Sequence, residues 1–516
     1  MSVVSNMDRV GVILEGATPR SFLFKVEKGE AVPLHEYIVT EVVELVEGKY
    51  APLQVLAEVV SIREKDPLAT ESLVGSIPAY GYELARGEIV GYMQKGRIFR
   101  PKSAPKPNNP VYRADDQVLN RFFSGDEARL PIEVGGLLNR PQVKISVHLQ
   151  DLQFHLGIFA QTRAGKSYFA GKVIEEILLC TPFPIVIIDI HGDYVMMDRR
   201  SSDDQKHSEY DVVVYYPKMS LRIDGVTATE ELLTLSPRDI GYPVLESMLP
   251  GLGNRQKNIL RDIVSDLDNQ GPFGLRDILE QVRIMMEDPE VDAQTRARCA
   301  GIMDRLELLS REIDLPPTGI SVTDLLKPNT LSVICLRGLS AFIQDVYSAL
   351  IVDMIYKNQV KYAGDLRRAP PVFVFVEEAH RVAAKEGGSR HAVHAISTAI
   401  REGAKFSLYL CLISQRPRSI DPNILANIGN YAVLRITNRL DQSTIENASE
   451  TFTQRFIEDL PSLNQGEVVL TGPFIDVPVQ IRTLDRLSKH HGVTPNLMAI
   501  KGTVEGLLKE VEKERW

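Results

Sequence analysis

Residues Phe154–Gly171 run from an apolar strand through a tight turn of small residues into the start of a helix. The turn Ala160-Gln-Thr-Arg-Ala-Gly-Lys-Ser167 follows the phosphate-loop pattern except at its first position, where alanine replaces glycine. Gly165 lets backbone N–H groups turn inward around phosphate oxygens. Lys166 supplies a charge for the β and γ phosphates, and the Ser167 hydroxyl a ligand for Mg²⁺. A helix from Lys166 to about Leu179 adds its positive N-terminal end. Thr162, Arg163, Ala164, Gly165, Lys166, Ser167 and Tyr168 are the candidate nucleotide-binding run, with ATP and Mg²⁺ as the expected cofactors. Gly-Lys-Ser also occurs in ordinary strand–turn–helix segments, so the reading needs partners elsewhere in the chain.

The surrounding pattern is α/β. Phe183–Asp189, Asp211–Tyr216, Leu331–Leu336, Pro371–Glu378, Phe406–Ile413 and Asn430–Ile436 are apolar runs separated by helical stretches. They predict an open, mostly parallel sheet whose ligands sit at strand carboxyl ends. Between about Thr227 and Leu326 apolar residues recur at helical spacing (Ile259, Leu260, Ile263, Val264, Leu267), which predicts a helical subdomain inserted into the core. Before the core, Arg9–Arg100 holds short β-prone runs punctuated by glycine and proline, the signature of a small β-barrel or sandwich. A proline-dense stretch, 101–110, follows as a linker or wrap-around segment. The expected layout is therefore a barrel and linker at 1–110, ATPase core at 111–226 and 327–485, inserted helices at 227–326, and a tail at 486–516. Val504, Leu507, Leu508 and Val511 share one face of a helix in that tail, with Trp516 at its end.

With 516 residues, 44% apolar and 25% charged, the chain is an ordinary globular protein of about two to four domains. No apolar run reaches the ~18 residues of a membrane helix, and the start lacks a secretory apolar region. Cys180, Cys299, Cys335 and Cys411 are far apart, and all but Cys299 lie in apolar runs. That predicts buried thiols in a reducing compartment, so a soluble, cytoplasmic protein. The net charge of −9 argues against a surface that is basic all over, but not against a basic channel.

NTP hydrolysis requires held phosphates, held Mg²⁺, an aimed water and neutralised charge. The strand Val372–Val376 ends in Glu377 and Glu378. Glu377 stands where P-loop ATPases usually carry Asp and would support the Mg²⁺ shell; Glu378 would polarise the attacking water. Gln415, at the end of another strand, would sense the γ phosphate. Asp189 and Asp193 would hold a water or a pore loop. For an arginine finger from a neighbouring subunit, Arg401 ends the helix Ala392–Arg401 just before a cap-like Gly403, with Arg416, Arg435 and Arg439 as rivals. An arginine there also complements the helix dipole. Arg381, Lys385 and Arg390 flank a Gly-Gly pair right after the acidic strand, the candidate DNA-binding loop. Tyr194–His207, with Arg199, Arg200 and Lys206, is a second. Neither carries the stacked aromatics of a single-strand binder, which favours duplex-backbone contact.

Gln161–Tyr168, Asp189–Tyr194, Val376–His380 and Arg401–Pro417 together resemble the HerA family of archaeal DNA-translocating ATPases. The resemblance implies a RecA-like ASCE P-loop core, an N-terminal HAS barrel and a homohexameric ring with ATP between subunits. It further implies double-stranded DNA in the pore, and a NurA-like nuclease dimer docked on the barrel face for DNA end resection in recombinational repair. By the same match Lys166 and Ser167 are phosphate-loop residues, Glu378 the catalytic acid and Arg401 the trans finger. Ala160 and Glu377 depart from the broad P-loop pattern. A membrane-anchored DNA pump is disfavoured, and a small-molecule kinase lacks an evident lid or acceptor pocket. A nucleotide-switched assembly ATPase with little turnover is the alternative from another class.

Overall fold

A computed structural model describes residues 7–46, 48–65, 82–94, 96–386, 390–492 and Lys501. The expected tail helix at Val504–Trp516 lies outside the described residues. The chain forms two compact units, Met1–Ile177 with Cys411–Asp485, and Leu178–Leu410 with Arg486–Trp516.

In the first unit, alternating burial drives a closed barrel. Its strands are β1 (Arg9–Ile13), β2 (Ser21–Val26), β3 (Tyr37–Val46), β4 (Lys49–Lys65), β5 (Tyr82–Gln94), β6 (Arg97–Phe99) and β7 (Pro110–Arg113). The order β2-β1-β7-β3-β4-β5 closes through β2–β5 pairing, and β6 is appended to β5. Along β2, Phe22, Phe24 and Val26 point into the core while Leu23 and Lys25 face solvent. The proline-dense stretch is a wrap: the N–H groups of Lys102 and Ser103 donate to Glu44 Oε1, and Asn108 N–H to the Ile13 carbonyl. It leads into β7, so the barrel ends at Arg113 and not at residue 110.

Helix α1 (Asp116–Phe123), the β8 (Pro131–Leu137) and β9 (Arg140–His148) hairpin, β10 (Leu156–Phe159) and α2 (Lys166–Cys180) follow. The second unit then contributes β11 (Ile185–Asp189), β12 (Asp211–Pro217) and β13 (Thr229–Leu233). Its helices α3 (Pro237–Ser247), α4 (Asn254–Gln270), α5 (Leu275–Glu287), α6 (Ala293–Glu312) and α7 (Val322–Leu325) form the inserted helical block. β14 (Thr330–Cys335), α8 (Ala341–Lys361), β15 (Val372–Val376) and α9 (Arg390–Glu402) complete it. The chain returns through β16 (Leu408–Ser414), α10 (Pro422–Leu425), β17 (Asn430–Val433), α11 (Arg439–Ala448), α12 (Gln454–Asp459), β18 (Glu467–Thr471) and β19 (Val479–Thr483).

The second unit carries the parallel run β13-β12-β14-β11-β15. In the first unit β16 and β17 flank β10 in parallel, and β17-β18-β19-β8-β9 continue antiparallel. Three expectations are corrected. The block from Thr227 opens with an edge strand, β13, which has no apolar alternation to read because Thr229–Glu231 is a solvent-exposed polar run and two adjacent leucines follow it. Gly403 is not a left-handed helix cap; it starts a 3₁₀ turn that ends at Ser407, φ 59°. Its lack of a side chain serves close packing, since a Cβ there would lie 3.0 Å from the Leu408 carbonyl. Among the cysteines, Cys299, Cys335 and Cys411 are buried, whereas Cys180, expected to be buried too, is exposed at the end of α2.

Charge pairs join barrel and core within the first unit. Arg455 of α12 reaches Glu58 Oε2 and Glu88 Oε2, both at 3.0 Å. His35 Nδ1 lies 2.9 Å from Glu58 Oε1, and Arg140 contacts Glu36 at 2.9 Å. Glu58 is almost wholly buried, so removing its guanidinium partner leaves a desolvated carboxylate poorly compensated. Arg455→Ala is expected to lower stability by ~2 kcal/mol, read as a shift of the urea midpoint. A change below ~0.5 kcal/mol would show that the pair is screened like a surface one.

Candidate functional site

The phosphate loop is set by its neighbours in the first unit. Ala160 is fully buried and donates its N–H to the Ser414 carbonyl at 3.2 Å. Its φ is not positive, so it extends β10 and needs no glycine. That is why the alanine is tolerated. The Gln161 N–H bonds the Arg435 carbonyl at 2.9 Å, and its side-chain Oε1 accepts from Thr437 at 3.0 Å. Arg163 (φ 65°) and Gly165 (φ 103°) take left-handed conformations. A Cβ on Gly165 would also meet the Gly466 nitrogen at 3.1 Å, and Gly466 N–H bonds the Ala164 carbonyl at 3.0 Å. Lys166 then opens α2, whose 15 residues aim their N-terminal dipole at the loop. The Thr162 hydroxyl donates to Gln415 Oε1 at 2.8 Å, which ties the end of β16 to the loop.

The acidic residues belong to the second unit. All five residues of β15 are buried, and Glu377 and Glu378 are only 1% and 7% exposed. Glu377 N–H bonds the Ile188 carbonyl at 3.2 Å, and its Oε1 accepts from the Tyr194 hydroxyl at 3.1 Å. Glu378 holds φ at 46°, a left-handed conformation unfavourable for a side chain with a Cβ. Strain of this kind, of order 1–3 kcal/mol, collects at functional sites. His380 Nδ1 lies 3.2 Å from Glu378 Oε2 and stands beside the candidate catalytic acid. Neither the strained backbone nor the roles of His380 and Gly466 are readable from spacing; the Glu-Glu-Ala-His run was the one available signal.

Asp189 is a correction. Its Oδ1 accepts N–H groups from His191 (3.1 Å), Gly192 (2.6 Å) and Asp193 (3.1 Å), and Oδ2 accepts that of Tyr194 (3.0 Å). The carboxylate therefore caps its own loop and does not reach for a water or a pore. Burial, then the Asp193 charge, push its pKa up to about 6 against the pull of these N–H donors. The Asp193 carbonyl accepts the His491 N–H at 3.3 Å, so the segment after Asp485 covers this loop.

The candidate arginines and loops separate clearly. Arg401 is exposed at the end of α9, its Nε bonded to the Ser397 carbonyl of the same helix at 3.3 Å. Arg381 does not project toward a ligand. Its guanidinium binds Gln344 Oε1 and Asp345 Oδ1, both at 2.7 Å, and the Ala341 carbonyl, because the turn after Glu378 swings it onto α8. Lys385 is exposed; the side chain of Arg390 lies outside the described residues. In the second loop Arg199 is consumed by Asp204, Thr227 and the Gly225 carbonyl.

The donor chemistry fits Mg-nucleotide. A hydroxyl at a helix start and a buried carboxylate are hard oxygen donors. Mg²⁺ arriving with phosphates needs about one or two protein carboxylates, not a protein cage. Among the described residues no three His, Cys, Asp or Glu gather as such a cage. No helix there is long and apolar enough to cross a membrane.

Residues 132–355 match the family model "Helicase HerA, central domain". The DNA double-strand break repair helicase HerA of Pyrococcus furiosus is 24% identical over 524 residues, spanning 92% of this chain and 91% of that protein. A probable helicase of Methanocaldococcus jannaschii is 25% identical over 441 residues, spanning 84% of this chain and 80% of its own. Among solved structures, VirB4 of Thermoanaerobacter pseudethanolicus aligns with a TM-score of 0.48 at 15% identity, covering 69% of this chain and 96% of that one. Along most of its length the chain is similar to HerA helicases, and it combines a P-loop-type α/β core with a closed β-barrel.

Asp189 generates a pH prediction. Its folded pKa, about 6, lies above the unfolded value of ~3.9, so its contribution to stability is full below about pH 4 and is lost as pH rises through 6. The stability of wild type minus that of Asp189→Asn, from urea unfolding, is expected to fall by about 2–3 kcal/mol between pH 4 and 7. A difference that stays flat or rises with pH contradicts this.

Proposed function

We propose that this chain, an ATP hydrolase of the HerA type, is the motor subunit of a homohexameric ring that translocates double-stranded DNA in the cytoplasm. In this reading it works with a NurA-like nuclease dimer in resecting DNA ends for recombinational repair. The observation that carries it is the phosphate loop, with Gly165 held left-handed against Gly466 at the start of a 15-residue helix. Kinship to double-strand break repair helicases along most of the chain supports the DNA substrate.

Each residue has a role in this reading. The N–H groups of Thr162 to Tyr168 and the Lys166 ammonium bind the β and γ phosphates. Ser167 would ligate Mg²⁺ and Glu377 would support its shell through water; the ion would supply Lewis-acid neutralisation of phosphate charge. Glu378 takes the proton of the attacking water, its carboxylate fixed by the left-handed turn and by His380. Gln415, tied to Thr162, reads the γ phosphate and transmits its loss to β16. Arg401, exposed at a helix end, is the finger offered to a neighbouring subunit's ATP. Lys385 stands in the turn that Glu378 begins, so nucleotide state at the acid reaches a DNA-facing cation within a few residues. Arg390, at the start of α9, is the second cation of that loop. A closed ring follows from one heterologous interface whose rotation closes.

The test is ATP hydrolysis with and without linear duplex DNA, with Lys166→Ala as the blank. Duplex is expected to stimulate turnover severalfold. Glu378→Gln is expected to lower kcat by about 10²–10⁴-fold while ATP binding is retained. Doping Arg401→Ala subunits into wild-type rings is expected to depress activity beyond their share. Slow turnover indifferent to DNA would favour a nucleotide-switched assembly protein instead, and a chain that stays monomeric with ATP and DNA would rule out the shared site.

A further inference from the structure

Glu377 stands where P-loop ATPases usually carry aspartate, and the difference has a physical cost. Glutamate adds a methylene and a rotatable bond, so its carboxylate samples more positions than aspartate from the same backbone site. A carboxylate that supports a metal shell must be held to within about 0.5 Å of its working position, so a longer arm needs an external restraint.

The second unit contains that restraint. Parallel pairing sets Ile188 of β11 beside Val376 of β15, which brings Asp189 and Glu377 to adjacent strand ends. Asp189 gathers four successive N–H groups, the last from Tyr194 at 3.0 Å, and so fixes where the tyrosine leaves the backbone. Tyr194 is fully buried, and its hydroxyl meets Glu377 Oε1 at 3.1 Å. The loop is held from outside as well, by the His491 N–H on the Asp193 carbonyl and the Lys489 N–H on the Arg199 carbonyl.

We infer that Tyr194 is a positioning residue for the Mg²⁺-side carboxylate: its hydroxyl, anchored through Asp189, fixes the Glu377 side chain that replaces the usual aspartate. This rests on the reading of Glu377 given above. A neutral donor on one oxygen leaves the carboxylate's charge in place, so the group stays competent to support a cation while its rotamer is fixed. Partners of this kind, one bond removed from a metal site, typically change metal affinity by ~10–100-fold when lost.

The test uses the full chain and a fluorescent mant-ATP analogue, titrated in Mg²⁺ and in EDTA, so that binding and not turnover is read. The measured quantity is the ratio of the two affinities. Tyr194→Phe is expected to cut that ratio about tenfold, Glu377→Gln at least as much, and the double variant no more than Glu377→Gln alone. Glu377→Asp leaves the tyrosine and its loop intact while withdrawing the carboxylate from the hydroxyl. It is expected to lower the ratio too, and adding Tyr194→Phe to it should change nothing further. If Tyr194→Phe fails to fold by its melting curve, Glu377→Asp alone decides the question, and an undiminished ratio there would overturn the inference. An unchanged ratio in Tyr194→Phe beside a reduced one in Glu377→Gln would make the tyrosine purely structural and overturn the inference while the site reading stands. An unchanged ratio in Glu377→Gln would remove the Mg²⁺ role of Glu377 itself, and the inference with it.

Discussion

A parallel strand buried on both faces can present polar groups only where it ends. β11, β14 and β15 are buried at every residue, as are β10 and β17. Their interiors read as continuous apolar runs, and their chemistry is displaced to the residues that follow. Asp189 ends β11, Glu377 and Glu378 follow β15, and the phosphate loop follows β10. The same burial that makes these strands stable excludes water from the acids beside them, which strengthens every charge interaction there.

This constraint explains what was legible in the sequence. The buried strands were visible as largely apolar segments, and the charged residues at their ends as candidates, because the few polar groups inside them, such as Ser332, are hydrogen-bonded within the protein. β13 was not visible, since an exposed edge strand such as Thr229–Leu233 has no apolar face to mark it. β7 was hidden behind prolines that belong to the wrap preceding it. Alternation exposed the barrel strands, while its closure by β2–β5 pairing is a long-range choice that no local pattern encodes. Arg381 looked like a free cation because the turn that sends it onto Asp345 depends on a backbone conformation, φ 46° at Glu378, that spacing does not reveal.

Left-handed residues recur at the candidate site. Arg163 and Gly165 occupy that region in the phosphate loop, and Glu378 does so in the acidic turn. His155, just before β10, combines φ 61° with ψ 164°, a region otherwise nearly reserved for glycine. Asn430 offsets part of this cost, its side-chain amide bonding the carbonyls of His155 at 2.9 Å and Asp151 at 2.7 Å. Such conformations persist only where the surroundings over-determine them, and His155, Arg163 and Gly165 flank β10, a strand held in parallel on both sides. The strain thus lies beside rigid elements, where it aims a loop without loosening the sheet.

Charge follows a similar economy. The chain is acidic overall, and several of its best-placed arginines are spent internally: Arg381 on Asp345, Arg199 on Asp204, Arg455 on Glu58 and Glu88. In the described part of the acidic turn Lys385 is exposed while Arg381 is held on α8, so that part offers little positive charge to a phosphate backbone, each contact with which is worth a modest increment of salt-dependent affinity. For the proposed translocase that would be an advantage, because a grip that must be released every cycle is better built weak. In the proposed ring, repetition would supply retention, since several weak, equivalent contacts would hold a duplex while any one of them lets go.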